Sequence, residues 1–88
     1  SPTFVLLKCY MLHVTCYMRL YHIDAYRLRD HHDLIPLGIK EIFADPRNIV
    51  LVEWSDRVRK ILPQKYVLVH IDHFAKNTRK IKILNHNF

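Results

Sequence analysis

Apolar residues crowd into residues 3–12, rich in Phe, Val, Leu and Tyr, and again into residues 14–24. Both stretches read as strands. The link at residues 11–14 contains no Gly or Asn, so its turn is poorly specified by sequence. Asp30 then opens "DHHDLIPLGIKEIFADP" as an N-cap. Leu34, Leu37 and Ile39 share a helical face with Ile42 and Phe43, while Pro36 and Gly38 split the stretch into two short helical pieces. "NIVLV" is a continuous branched run, the pattern of a parallel strand covered on both faces. Residues 56–62 read as a short helix carrying Val58, Ile61 and Leu62. "YVLVHID" and "KIKIL" alternate with period two and predict an antiparallel hairpin, joined by "HFAKNTR", with Lys80 and Lys82 facing out. Together these elements predict an α/β fold.

Two of the predicted strands run into an acid. "YHIDAYRL" delivers Asp24, and "NIVLVEW" delivers Glu53. In open α/β sheets, ligands bind outside the carboxyl ends of the strands, which is where both acids fall. A carboxylate there suits Mg²⁺, a hard cation that prefers oxygen ligands. Phosphoryl-transfer NTPases hold Mg²⁺ with such an acid, and a second acid nearby orients or deprotonates the attacking water. The plainer alternative is that strands end in polar residues because they end at the surface.

At 88 residues the chain has room for one domain. Its first residues already read as strand, so the chain is expected to start inside a domain. A composition that is 50% hydrophobic and 25% charged is that of a globular protein. The net charge of +6 is uneven: residues 57–82 hold eight Lys or Arg against one acid, Asp72. This run is either an electrostatic patch for RNA or an acidic partner, or a solvated face. Cys9 and Cys16 would face each other if residues 4–23 formed a hairpin, but reduced thiols in a cytoplasmic protein are the expectation. No apolar run reaches the ~20 residues of a membrane span, and no signal peptide is visible. The seven histidines include "DHHD" and "HIDH", yet no pair has the i, i+4 spacing of a zinc site and Cys-x-x-Cys is lacking. A hydrolase nucleophile has no elbow motif to support it.

"SPTF" at Ser1 to Phe4, "YHIDAYRL", "LGIKEIF" at Leu37 to Phe43 and "LVEW" at Leu51 to Trp54 occur in an order that resembles the TsaE family. These are bacterial P-loop ATPases that support threonylcarbamoyladenosine modification of tRNA. The resemblance covers nearly the whole chain. It implies that residues 1–88 are a single incomplete domain, the C-terminal portion of a TsaE-like ATPase: a partial P-loop NTPase-type sheet with covering helices and a C-terminal antiparallel hairpin. It implies ATP and magnesium as cofactors, TsaB and TsaD homologues as partners, and tRNA reached through that complex. Residue by residue, it implies that Thr3 approaches Mg²⁺ and the γ-phosphate, Asp24 holds Mg²⁺, and Glu53 positions or activates the attacking water. Trp54 lies close to the nucleotide, and His22, Tyr26 and Arg27 complete the polar network around Asp24.

The chain departs from the family pattern in one central respect. Gly-x-x-x-x-Gly-Lys-Ser/Thr, expected before the Ser-Pro-Thr segment, is absent, and the single glycine, Gly38, lies elsewhere. The chain alone is therefore expected to be inactive. Residues 11–20 are also longer than the family's hairpin, Ser55 and Asp56 replace Pro and Glu after Trp54, and Pro36 enters a helical stretch. The alternative function is a non-catalytic basic domain that binds RNA or a protein partner.

Overall fold

The computed structural model describes residues 7–29 and 31–87. Strand β1 (Leu7–His13) pairs antiparallel with β2 (Met18–Asp24) through a turn at residues 14–17. On the other side of β2 lies β3 (Asn48–Glu53), parallel to it. A parallel neighbour needs a crossover. Here it is a 3₁₀ segment (His31–Leu37) followed by a short helix α1 (Ile39–Ala44). A second 3₁₀ segment (Ser55–Ile61) leaves the end of β3. Strands β4 (Tyr66–Ala75) and β5 (Thr78–His86) then form a separate two-stranded antiparallel sheet. Among the described residues no helix is long and apolar enough to cross a membrane.

The break in the helical stretch falls where Pro36 and Gly38 put it. Gly38 has φ 77°, a left-handed conformation that a side chain disfavours. Its amide donates to the Ile35 carbonyl at 3.1 Å and its carbonyl accepts from Ile42 at 3.1 Å, so one residue closes the 3₁₀ segment and opens α1.

The core lies on one face of the three-stranded sheet. Ile23, Ala25, Leu28, Leu34, Ile39 and Val58 are buried together, with Leu7, Val50, Val52 and Phe43 packed against them. Register explains the grouping: Leu7, Ile23 and Val52 stand side by side across the three strands. Side chains alternate along a strand, so Tyr10, Leu20, Ile49 and Leu51 fall on the opposite face. Ile49 and Leu51 remain 45% and 53% exposed there.

That exposure corrects the expectation of a β3 covered on both faces: among the described residues the helical segments cover one face. Other expectations shift as well. The predicted helix at residues 56–62 is the 3₁₀ segment Ser55–Ile61. β1 runs on to His13, so the first turn lies three residues later than the link read from sequence. The loop of the last hairpin shrinks to Lys76 and Asn77, because Ala75 and Thr78 already pair. Cys9 stands opposite Tyr21 in the ladder and Cys16 lies in the turn, both as free thiols; they do not face each other. The α/β class and the C-terminal antiparallel hairpin are both present. Asp30, read as an N-cap, and Thr3, with the rest of residues 1–6, lie outside the described residues.

Candidate functional site

Parallel pairing of β2 and β3 sets Asp24 beside Glu53 at the carboxyl ends of the two strands. Both carboxylates are exposed. They share the open face of the sheet with His22, whose Nε2 lies 3.4 Å from Glu53 Oε2. A pair this close to solvent contributes about 0–1 kcal/mol, too little to hold the fold together.

The chain turns sharply beyond each acid. Asp24 Oδ1 accepts from the Tyr26 amide at 3.0 Å, an Asx turn that swings the chain away from the sheet. The Ala25 amide donates to the Glu53 carbonyl at 3.0 Å, tying the two strand ends together. Trp54 follows Glu53 at φ 58°, ψ 45°. A bulky residue in the left-handed region is an outlier that costs on the order of 1–3 kcal/mol. The turn brings the Trp54 ring against Tyr26, with centroids 4.8 Å apart and planes tilted by 51°. The Arg57 guanidinium lies over Tyr26, 5.3 Å from its centroid. Tyr26 and Trp54 remain 46% and 56% exposed.

Of the residues expected at a site, the structure brings His22, Asp24, Tyr26, Glu53 and Trp54 to one rim. Arg27 follows Tyr26 there and is exposed. Arg57 belongs to the same group, although in the sequence it stands out only as the first member of a basic run. What could have marked it is its place three residues after Trp54, since its amide donates to the Trp54 carbonyl at 3.1 Å.

The donor set suits one of the two expected cofactors. Mg²⁺ keeps several waters and takes one or two carboxylates together with substrate phosphates, which matches two neighbouring exposed acids. Among the described residues no three His, Cys, Asp or Glu side chains converge as a closed metal cage. A triphosphate needs backbone amides in a glycine-rich turn, and the chain's single glycine sits in the crossover between two helical segments. The described residues therefore supply no glycine-rich cradle for the phosphate chain of a nucleotide.

Comparison with known proteins adds an independent line. The family described as threonylcarbamoyl adenosine biosynthesis protein TsaE matches residues 1–81. Three similar proteins carry the name tRNA threonylcarbamoyladenosine biosynthesis protein TsaE. That of Haemophilus influenzae is 36% identical over 84 residues, covering 96% of this chain and 50% of the relative. That of Rickettsia bellii is 33% identical, with 97% and 56% covered, and that of Treponema pallidum is 34% identical, with 94% and 58% covered. The chain spans about half the length of these relatives.

Proposed function

The chain belongs to the TsaE family, and from that premise we propose that it carries the acid-bearing half of a P-loop-type ATPase site serving tRNA threonylcarbamoyladenosine biosynthesis. One observation supports this reading above the others: Asp24 and Glu53 stand side by side at the carboxyl ends of a parallel strand pair, with Trp54 beside them.

In this reading Asp24 would hold Mg²⁺. The ion, when bound, offsets the negative charge of the phosphates. Glu53 accepts a proton from, or orients, the attacking water, and His22 keeps the Glu53 carboxylate directed along the open face. Trp54 and Tyr26 form an apolar wall beside the acids, while Arg27 and Arg57 supply positive charge at the rim. Thr3 belongs to the same reading as a group near Mg²⁺ and the γ-phosphate. The phosphate-binding loop comes from a polypeptide segment that these 88 residues do not supply. TsaB and TsaD homologues are the proposed partners, with tRNA engaged through them.

The test joins residues 1–88, in place of the matched half, to the remaining half of the Haemophilus influenzae relative. The chimera is expected to hydrolyse MgATP, and the 88-residue chain alone to show no saturable MgATP binding at micromolar concentrations. Micromolar binding by the chain alone, or a folded chimera that binds MgATP without turnover, would overturn the proposal.

A further inference from the structure

We infer that Arg57 is a positioning residue: laid over Tyr26, it holds that ring against Trp54 and so keeps the Glu53–Trp54 corner in its left-handed turn. Its contacts form a closed circuit. The Trp54 carbonyl accepts from the Arg57 amide at 3.1 Å, which fixes where the Arg57 side chain starts. The Arg57 guanidinium then covers Tyr26, 5.3 Å from the centroid, and Tyr26 meets the Trp54 ring at 4.8 Å. Tyr26 is anchored independently by the bond from its amide to Asp24 Oδ1.

A bulky residue stays at φ 58° only when its surroundings over-determine it. Trp54 is more than half exposed, so burial does not supply that constraint. The contacts from Arg57 to Tyr26 and from Tyr26 to Trp54 do. Arginine suits the task because its guanidinium is flat and weakly hydrated, and it stacks on an aromatic face where a lysine ammonium would sit as a hydrated point charge. The contribution of this corner to turnover, through the direction of Glu53, rests on the function proposed above. The conformational claim does not, since it concerns the nucleotide-free chain.

Trp54 is the only tryptophan, so fluorescence excited selectively at the indole, beyond tyrosine absorption, reports this corner alone. In the 88-residue chain, Arg57→Ala is expected to raise acrylamide quenching of Trp54 and to weaken the near-ultraviolet circular dichroism of the Tyr26–Trp54 pair. The rise is expected to be modest, because Trp54 is already more than half exposed. Arg57→Lys should follow Arg57→Ala rather than the parent. Tyr26→Ala should have the same effect, and adding Arg57→Ala to it should change nothing further, because residues in one chain of contacts are non-additive. Arg59→Ala serves as the control and should be silent. Where Arg57→Ala disturbs the far-ultraviolet spectrum, Arg57→Gln, which keeps much of the stem, carries the same expectation. Parental quenching and near-ultraviolet signals in the folded Arg57 variants, or additive effects of Arg57 and Tyr26, would overturn the inference. Neither result bears on whether the site hydrolyses ATP.

Discussion

His22 and Glu53 approach to 3.4 Å across neighbouring parallel strands, on the face of the sheet that has no helical cover among the described residues. Glu53 lies on the same face as Asp24, its register partner. In the chimera described above, Glu53→Gln is expected to retain MgATP binding and to lose turnover by about 10²–10⁴-fold, the usual loss when a general base is removed. Asp24→Asn should weaken nucleotide binding in a way that depends on Mg²⁺ concentration. Single-turnover hydrolysis alongside equilibrium binding separates the two effects. Parental hydrolysis by Glu53→Gln would reduce Glu53 to a surface acid at a strand end.

The acid pair was legible from sequence because each carboxylate ends an apolar run and parallel strands align such ends. The contact between Tyr26 and Trp54 was not legible, since it depends on a left-handed backbone at Trp54 that no propensity favours. Nor was the role of Arg57, whose charge hides it among its basic neighbours. The helical break was readable because Pro36 and Gly38 act locally through their own dihedral limits. The two-sided burial of β3 was misread for a different reason. Hydropathy reports that Ile49 and Leu51 are apolar, but not whether anything within these 88 residues covers them.

That asymmetry between faces makes a stability prediction. Ile23 is fully buried among Leu34, Ile39 and Val58, whereas Leu51 is 53% exposed. Ile23→Ala is expected to cost about 2–5 kcal/mol, the range for deleting a large aliphatic side chain from a packed interior. Leu51→Ala should cost under about 1 kcal/mol, because much of its surface is already in water. Urea denaturation of the 88-residue chain compares the two. Equal losses would mean that the open face is covered in solution.

A third prediction concerns the far end of β3, away from the acids. Arg47 meets Asp45 through its side chain at 3.1 and 3.0 Å and through its amide at 2.9 Å. These hydrogen bonds, the side-chain ones foremost, hold the Asp45 carboxyl below its ordinary range and raise Arg47. For a depressed carboxylate, the contribution to stability is fully present above the unfolded-state pKa and is lost as pH falls through the folded value. The turn entering β3 should therefore loosen at pH values below the ordinary carboxylate range. Arg47→Ala should move the Asp45 midpoint upward, as followed by carbon-detected NMR titration. An unmoved midpoint would show that Arg47 does not set it.

The C-terminal hairpin leads to the last prediction. Its register sets Lys80 opposite Asp72 and Lys82 opposite His70, on one face, while Val69, Ile71, Ile81 and Ile83 line the other. His70 Nε2 lies 3.1 Å from Asp72 Oδ1 on the same strand. A two-stranded sheet has two edges, and lysine near an edge discourages the addition of another strand. If the basic residues instead contacted RNA phosphates, each contact would release counterions and steepen the salt dependence of binding. The hairpin's geometry favours the first account, because the single acid of this region, Asp72, sits amid the lysines and offsets part of their charge. Replacing Arg79, Lys80 and Lys82 by Glu is therefore expected to lower solubility while leaving the salt dependence of tRNA binding unchanged. A salt titration of parent and variant against unmodified tRNA measures this directly. A shallower slope in the variant would make the hairpin an RNA surface and leave edge protection as a secondary effect.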